Sequence, residues 1–149
     1  MIFVTVGTAH FDPLVEEIDR LVGSDVITER VVAQIGRGSY IPRHIEYFRF
    51  IRSLEPAYQR ASVIVSTGGA GTTMECVTRG LSLVVVENTT LMEGHQAQLI
   101  GEMARRGHLL WCEDVTMIAS CIEEARTCSF PPFRSDPPRI HREILRLIS

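Results

Sequence analysis

The chain contains no lysine, because all fifteen of its basic side chains are arginine. A Schiff base with a carbonyl substrate needs a lysine amine, and so does the phosphate-binding P-loop. The missing lysine therefore excludes both chemistries. A net charge of −3 argues further against a nucleic-acid partner, since proteins that bind nucleic acids normally carry a basic face.

Long apolar runs are also missing. No run approaches the roughly 20 apolar residues that cross a bilayer. The N-terminal MIFVTVG lacks the basic start and the cleavage site of a signal peptide, and it is predicted to form a first strand. We therefore expect a cytoplasmic protein without direct membrane insertion, which would reach a membrane only through a surface or a partner.

Cysteines are few and do not form a metal-binding pattern. The four are Cys76, Cys112, Cys121 and Cys128. They make no C-x-x-C pair, and no neighbouring histidine completes a zinc motif. The sequence favours reduced thiols packed as small apolar side chains, and it predicts no metal site.

What the chain does have is a regular alternation of apolar runs and amphipathic segments. Predicted strands cover residues 2–6, 31–35, 62–66, 83–86 and 109–112. Predicted helices cover residues 12–22, 53–60, 72–79, 92–106 and 115–126, and residues 45–51 (IEYFRFI) fit either state. Strands that are apolar throughout and alternate with helices indicate a mostly parallel sheet covered on both faces. The fold class is therefore α/β, with a single Rossmann-like domain.

The last part of the chain differs in composition. PPFRSDPP, at 131–138, contains too many prolines for a helix or a central strand. The stripe formed by Ile140, Ile144, Leu147 and Ile148 predicts a terminal helix beyond it. We divide the chain into a domain at 1–130 and a proline-rich wrap with a helix at 131–149. That helix would pack either on the chain's own sheet or on a partner.

One loop stands out, STGGAGTTMECVTRG at 66–80, between a predicted strand and a predicted helix. Its closest frame to the dinucleotide fingerprint G-x-G-x-x-G lies on a middle strand and ends in Met74, so we reject an NAD site. A glycine-rich loop that leads into a helix N-terminus suits a phosphate. The alternative is structural, since Thr72-Thr73-Met74-Glu75 has the form of a capping box. These residues alone leave both interpretations open.

Several motifs together match a known pattern. Ser66, Gly69, Gly71 and Glu75 stand in the register of a loop S-H-x-G-x-G-x-x-x-E. Glu93-Gly94-His95-Gln96 follows at the distance of a D-N-H-Q-like motif, and VTVGTAHFDPL is similar to a first strand and turn V-G-T-x-x-F-D. By these motifs most of residues 1–110 resembles the donor-binding half of family 28 glycosyltransferases, especially the small Alg13-type subunits and their bacterial exopolysaccharide relatives. Thr67 replaces that family's loop histidine, and threonine cannot act as a base near neutral pH.

The resemblance implies a UDP-sugar as donor substrate, bound without a cofactor or metal. Glu75 would accept hydrogen bonds from the ribose hydroxyls, the amides of residues 69–72 would meet the diphosphate, and His95 and Gln96 would face the sugar. Without the resemblance, His95 and Gln96 are first-turn residues behind a second capping box at Thr90 and Glu93. The predicted donor-binding residues are Gly7, Thr8, Thr67, Gly68, Gly69, Gly71, Thr72, Glu75, His95 and Gln96. No catalytic residue is assigned.

The resemblance also implies a partner. A GT-B glycosyltransferase has a second domain for the acceptor, for which 149 residues leave no room. The implied function is the UDP-sugar-binding catalytic subunit of a two-chain inverting glycosyltransferase, such as an N-acetylglucosaminyl-, hexosyl- or uronosyltransferase. An Alg14-like, membrane-attached subunit would carry the lipid-linked sugar acceptor, so that the chain would be peripheral to the membrane. The alternatives are a non-catalytic sugar-nucleotide-binding or regulatory module and, disfavoured by length, a sugar-nucleotide epimerase.

Overall fold

Parallel strands form one sheet in the computed structural model, which describes residues 1–87 and 94–134. Its strands are β1 (Ile2–Thr5), β2 (Val31–Gln34), β3 (Glu46–Phe48), β4 (Val63–Ser66), β5 (Leu83–Val86) and β6 (Leu110–Cys112). The α-helices are α1 (Asp12–Gly23), α2 (Glu55–Arg60), α3 (Ala70–Arg79), α4 (Gly94–Arg105) and α5 (Ile118–Thr127). The predicted terminal helix at 139–148 lies outside the described residues.

The strand order is β3-β2-β1-β4-β5-β6, with every neighbouring pair parallel. The chain therefore builds outward from β1 in one direction and then, from β4, in the other. β1 and β4 are paired in register, with Thr5 opposite Ser66 at their carboxyl ends. In open parallel sheets this reversal leaves a crevice at the carboxyl ends of the two strands, where ligands bind.

Helices cover both faces of the sheet, as the alternation predicted. One apolar cluster joins α1 and α5 to the side chains of Ile2, Val4 and Val6. The other cluster joins α2, α3 and α4 to Phe3 and to the opposite side chains of β4 and β5. Because successive strand residues point to opposite faces, a strand buried on both sides must be apolar throughout. The α/β prediction is confirmed.

A loop before β3 is held against α1 by two carboxylates. The Asp19 carboxylate accepts hydrogen bonds from the Tyr40 hydroxyl at 2.5 Å and from the backbone amides of Arg43 at 3.0 Å and His44 at 2.7 Å. The Asp12 carboxylate accepts hydrogen bonds from the backbone amides of residues 39 and 40. The predicted start of α1 at residue 12 agrees with the structure, in which Phe11 is the N-cap residue and Asp12 is the first helical residue.

Other element boundaries differ locally from the prediction. The ambiguous segment 45–51 contains β3, a short edge strand. The predicted helix at 115–126 begins as a 3-10 turn, Val115–Met117, and continues as α5. Within the described part of the chain the four cysteines are free thiols, and no helix is long and apolar enough to cross a membrane.

The described part of the proline-rich segment packs against the core. Phe133 is 4% exposed, and its amide donates to the Val77 carbonyl oxygen at 2.7 Å. The His108 ring meets the Phe133 ring edge-on, with 5.3 Å between the ring centroids. The chain therefore continues into the second apolar cluster beyond residue 130, and the predicted division at that residue stays a prediction.

Candidate functional site

The crevice between β1 and β4 opens into a cleft of about 380 Å³. Its lining comes from the loop after β1, the loop after β4, and the first turns of α3 and α4. The lining residues are Thr5, Val6, Gly7, Thr8, Ala9, Ser66, Thr67, Gly69, Gly71, Thr72 and Gln96. Seven of the predicted donor-binding residues are among them, so the fold brings together motifs that are about 90 positions apart in the sequence. We call this space the strand-end cleft.

Two polar side chains inside apolar strands shape the first wall of the strand-end cleft. The Thr5 hydroxyl donates to the Gln34 side-chain carbonyl oxygen at 2.8 Å, and both residues are buried. The Gly7 amide donates to the Thr5 hydroxyl oxygen at 3.0 Å, and Gly7 has a φ of +68°, a conformation that favours glycine. The sequence prediction missed Thr5 and Gln34, although a polar residue at the end of a buried strand is a visible signal.

The glycine-rich loop forms the second wall of the strand-end cleft. Gly68 makes the turn, with a φ of +91°, and it is buried outside the cleft lining. Gly69 is the N-cap of α3, with no side-chain cap, and the Thr73 amide donates to its carbonyl oxygen at 3.0 Å. The preceding amides, of residues 70–72, have no intrahelical acceptor and therefore leave a cluster of free donors at the positive end of the helix dipole.

The capping-box interpretation of this loop is wrong. It needed the helix to begin after Thr72, but α3 begins at Ala70, so Thr72 lies inside the first turn. Glu75 is then the sixth residue of the helix, beyond the turn in which a carboxylate caps free amides. The capping explanation for Glu75 is therefore removed, because no amide at the start of α3 requires it.

Gly69 and Gly71 have no structural need to be glycine. Gly69 has a φ of −59°, and Gly71 lies in the first turn of a right-handed helix, so any L-residue could adopt either backbone. A Cβ atom added at either position would meet no atom of the described residues within 4 Å. Neither conformation nor packing accounts for these glycines. A methyl group added at Gly69 or at Gly71 would occupy open space in the cleft.

A second cleft, of about 480 Å³, lies on the other side of the start of α3. We call it the α3 side cleft. It is lined by Ile51, Arg52, Ser53, Leu54, Glu55, Tyr58, Gly71, Thr72, Glu75 and Arg79. Gly71 and Thr72 line both clefts, so the two spaces meet at the first turn of the helix. Glu75 therefore lies in a neighbouring space rather than in the strand-end cleft itself.

The two clefts differ in electrostatics. Among the described residues, no charged side chain lines the strand-end cleft, so within that part the α3 dipole and the first amides of the helix are the main source of positive potential. The α3 side cleft carries both signs of charge, and Arg79 in it forms an ion pair with Glu55 at 2.6 Å. Among residues 1–87 and 94–134, no group of three or more histidine, cysteine or acidic side chains is arranged to hold a metal ion.

Buried groups near the site are not nucleophiles. Burial, and then the neighbouring Glu75 carboxylate, raise the pKa of the Cys76 thiol to about 12, so it is protonated at neutral pH. Ser66 lines the strand-end cleft, but its hydroxyl oxygen is buried and finds no hydrogen-bond partner in the described part of the chain. An unpaired buried hydroxyl costs free energy, and no described contact accounts for this one.

The remaining predicted residues lie on α4. Gln96 lines the strand-end cleft from the first turn of that helix. The backbone of His95 precedes it in the same turn, whereas its side chain lies outside what the structure describes. The second predicted capping box, Thr90 with Glu93, falls on residues 88–93, which also lie outside the described part.

A parallel sheet with a glycine-lined switch point is a Rossmann-like domain, a fold that also occurs in GT-B glycosyltransferases. Solved structures of that class share the fold at 18% identity. An NMR structure of ALG13 aligns with a TM-score of 0.63 over 96% of this chain and 94% of that one. MurG of Acinetobacter baumannii aligns with a TM-score of 0.61 over 98% of this chain and 52% of that one. CalG4, a calicheamicin glycosyltransferase, aligns with a TM-score of 0.63 over 99% of this chain and 37% of that one.

The chain belongs to the glycosyltransferase family 28 C-terminal domain family, whose model matches residues 1–129. Three relatives carry the name UDP-N-acetylglucosamine transferase subunit ALG13. The human protein is 32% identical over 142 residues, covering 88% of this chain and 12% of that protein. The mouse protein is 36% identical over 124 residues, covering 74% of this chain and 10% of that protein. The Yarrowia lipolytica protein is 26% identical over 131 residues, covering 79% of this chain and 67% of that protein. The chain thus spans only a small part of the two mammalian relatives.

Proposed function

We propose that the chain is the donor-binding subunit of a two-chain inverting glycosyltransferase that uses a UDP-sugar, with UDP-N-acetylglucosamine as the first candidate. The observation that carries the proposal is the pair of glycines at the start of α3. Neither Gly69 nor Gly71 is required by conformation or by packing, and both border an open cleft. Glycine at such positions lets a ligand approach the backbone closely. The names of the relatives supply the donor class.

The diphosphate is assigned to the strand-end cleft. The amides of residues 70–72, which have no acceptor within the helix, and the dipole of α3 favour an anion there, and the described lining residues carry no competing charge. The same amides would stabilise the negative charge that develops on the diphosphate as the sugar leaves. In this proposal the diphosphate needs neither a lysine nor a divalent ion.

The nucleoside is assigned to the α3 side cleft. The two clefts meet at Gly71 and Thr72, so one ligand can continue from the first into the second. Glu75 is exposed there, and its carboxylate can accept hydrogen bonds from both ribose hydroxyls. A nucleoside diphosphate that bridges the two clefts uses the predicted residues without a rearrangement of the fold.

The sugar is assigned to the other end of the strand-end cleft, near Thr8, Thr67 and Gln96. These side chains donate and accept hydrogen bonds but do not act as bases near neutral pH. Such groups can fix the orientation of a sugar. In this proposal the base that activates the acceptor hydroxyl therefore comes from elsewhere, which agrees with a site completed by a second chain.

We propose an Alg14-like, membrane-attached partner that carries the acceptor half and presents a lipid-linked sugar. The relatives are named as subunits of a transferase, which supports a partner. Coexpression of the two chains, followed by assay of the purified pair with a panel of UDP-sugars, tests this assignment. We expect transfer by the pair and none by either chain alone. Transfer by the single chain would contradict the need for a partner.

Thr67 favours one alternative, a sugar-nucleotide-binding or regulatory module without transferase activity, because it replaces the family's loop histidine. The coexpression assay separates the two proposals. A pair that binds the UDP-sugar but transfers nothing to any lipid-linked acceptor supports the binding module. Replacement of Thr67 by histidine in that pair then tests whether the missing imidazole is the cause.

Binding itself is tested by calorimetry on the chain with UDP, UDP-N-acetylglucosamine and NAD. We expect binding of the two uridine ligands and none of NAD, because the first strand is not followed by a dinucleotide fingerprint. Tighter binding of NAD than of UDP would overturn the proposed function.

A further inference from the structure

Tyr58 forms part of the wall of the α3 side cleft, and its hydroxyl is unpaired. The residue is 3% exposed, and its hydroxyl oxygen makes no hydrogen bond with any described residue. A buried tyrosine hydroxyl normally finds a partner, because leaving it unpaired costs the free energy of its lost hydration. The proposed function has not used this group, and the packing of α2 does not explain it.

The groups nearest to the hydroxyl lie on α3. Burial, and then a hydrogen-bonding interaction with the Glu75 side chain, raise the pKa of the Tyr58 hydroxyl, while the Thr72 side chain lowers it. Both side chains are therefore close to the hydroxyl, although neither meets the distance and angle of a hydrogen bond. Because its pKa is raised, the Tyr58 hydroxyl keeps its proton at neutral pH and is available as a donor. Among the neighbours on α3, the Glu75 carboxylate is the acceptor best matched to it, because a carboxylate has about four acceptor positions and no proton to donate.

The ring of Tyr58 is fixed while its hydroxyl is unpaired. The Arg79 guanidinium lies 5.4 Å from the ring centroid, and its ion pair with Glu55 holds it there. The Tyr58 amide donates to the Leu54 carbonyl oxygen at 3.0 Å. A fixed ring holds its hydroxyl at one place beside α3. The partner that completes the bond must therefore come to the hydroxyl.

We propose that Tyr58 is a positioning residue for Glu75. When the nucleoside enters the α3 side cleft, the Tyr58 hydroxyl donates to one Glu75 carboxylate oxygen, and the remaining acceptor positions receive the ribose hydroxyls. The inference rests on the proposed function, since it needs a ribose at Glu75. Tyr58 does not touch the ligand, because its hydroxyl oxygen is buried in the wall. It orders an exposed carboxylate, and ligand binding satisfies a donor that is otherwise unpaired.

The test is Tyr58→Phe, which removes one oxygen atom and keeps the ring. We expect the affinity for UDP to fall about fivefold to tenfold, the size of one hydrogen bond. The melting temperature should stay the same or rise, because an unpaired buried hydroxyl is removed. Two further readouts are specific to positioning. The variant should bind 2′,3′-dideoxy-UDP as the unmodified chain does. Tyr58→Phe should also have no further effect when Glu75→Ala, which removes the side-chain acceptor, is already present.

Tyr40→Phe is the matched control. The Tyr40 hydroxyl donates to Asp19 at 2.5 Å, beside α1 on the other face of the sheet. Its removal should lower the melting temperature and leave UDP affinity unchanged, which is the reverse of the result expected at Tyr58.

The possible outcomes distinguish a failure of the proposed UDP-binding function from a failure of the positioning role of Tyr58. If the unmodified chain does not bind UDP, the proposed function fails and the role of Tyr58 fails with it. If the chain binds UDP and Tyr58→Phe binds it equally well, only the positioning role is overturned. Equal losses for UDP and dideoxy-UDP, or a full loss in the Glu75→Ala background, would overturn it too, because the hydroxyl would then act without Glu75.

Discussion

Gly71 and Glu75 lie four residues apart on α3 and line the same cleft, and Gly71 also lines the cleft at the strand ends. Residues at this spacing share one face of a helix. The face that they share is therefore where the proposed diphosphate and ribose positions meet. The start of the helix provides amides for the first, and its second turn provides a carboxylate for the second.

Gly71→Ala should raise stability and lower ligand affinity. Alanine in a helix is more stable than glycine by up to about 1 kcal/mol, and no atom of the described residues lies within 4 Å of the new Cβ. The methyl group would project into the space where the clefts meet, so we expect UDP affinity to fall at least about tenfold. Thermal melts and calorimetry on the same protein measure both effects. Gly101→Ala, inside α4, is the control and should raise stability alone, and unchanged UDP affinity in Gly71→Ala would contradict the proposed ligand position.

Glu75→Gln should weaken UDP binding by about 1.5–3 kcal/mol, the range for a hydrogen bond to a charged group. Stability should change little, because the side chain is exposed and lies beyond the capping turn. Calorimetry with UDP and with 2′,3′-dideoxy-UDP locates the lost bonds. Only UDP should lose affinity, since only UDP carries the ribose hydroxyls. Glu124→Gln, an exposed carboxylate on α5, should change neither quantity, and an equal loss for both ligands would place the carboxylate elsewhere.

UDP binding should not depend on a divalent ion. The free amides and the α3 dipole supply the positive potential in the strand-end cleft. Calorimetric titrations with UDP in EDTA and in magnesium should give the same dissociation constant. If EDTA abolishes binding and magnesium restores it, the assignment of the diphosphate to the amides alone is incorrect.

Asp19→Asn should destabilise the chain in a pH-dependent way. Burial by itself raises the pKa of Asp19, but hydrogen bonds from Tyr40 and from the amides of Arg43 and His44 outweigh it and lower the pKa below the ordinary 3.8. The carboxylate therefore contributes stability above about pH 4, and that contribution is lost as the pH falls through the lowered folded-state value.

Urea unfolding of Asp19→Asn and of the unmodified chain at several pH values between 7 and about 3 tests this sign. The difference in free energy should be about 1.5–3 kcal/mol at neutral pH and should shrink at the acidic end. Glu16→Gln, an exposed carboxyl on the same helix, is the control. A difference that grows on acidification would mean that the Asp19 pKa is raised instead.

Phe133→Ala should cost about 3–5 kcal/mol, the range for removing a buried phenylalanine ring. The ring is 4% exposed and packs in the second apolar cluster, beside His108. Urea denaturation measures the change. Phe50→Ala, at a ring that is 53% exposed, should cost far less. Equal costs for the two would show that the segment after residue 130 is not part of the core.

Much of the fold could be read from local patterns. Buried parallel strands must be apolar on both faces, so five of the strands were predicted from their composition. β3 was left ambiguous because it is a three-residue edge strand, two of whose residues are exposed, so burial does not impose a pattern on it. The start of α3 was placed two residues late. The Thr-Thr-Met-Glu run has the form of a cap, whereas the helix in fact begins at Ala70 without any side-chain cap.

The available chemistry follows from the amino-acid sequence: there is no lysine, a glycine-rich loop precedes a helix, and that helix carries a carboxylate. The geometry of the site follows from how the segments pack in three dimensions. The crevice between β1 and β4 exists because of the strand order, and no local pattern shows that Glu75 lies in a second cleft that meets the first at Gly71. The roles of Thr5, Gln34 and Tyr58 depend on contacts between distant segments. Such contacts arise when the sheet assembles and its helices pack, since hydrogen bonding and burial are properties of neighbours in space.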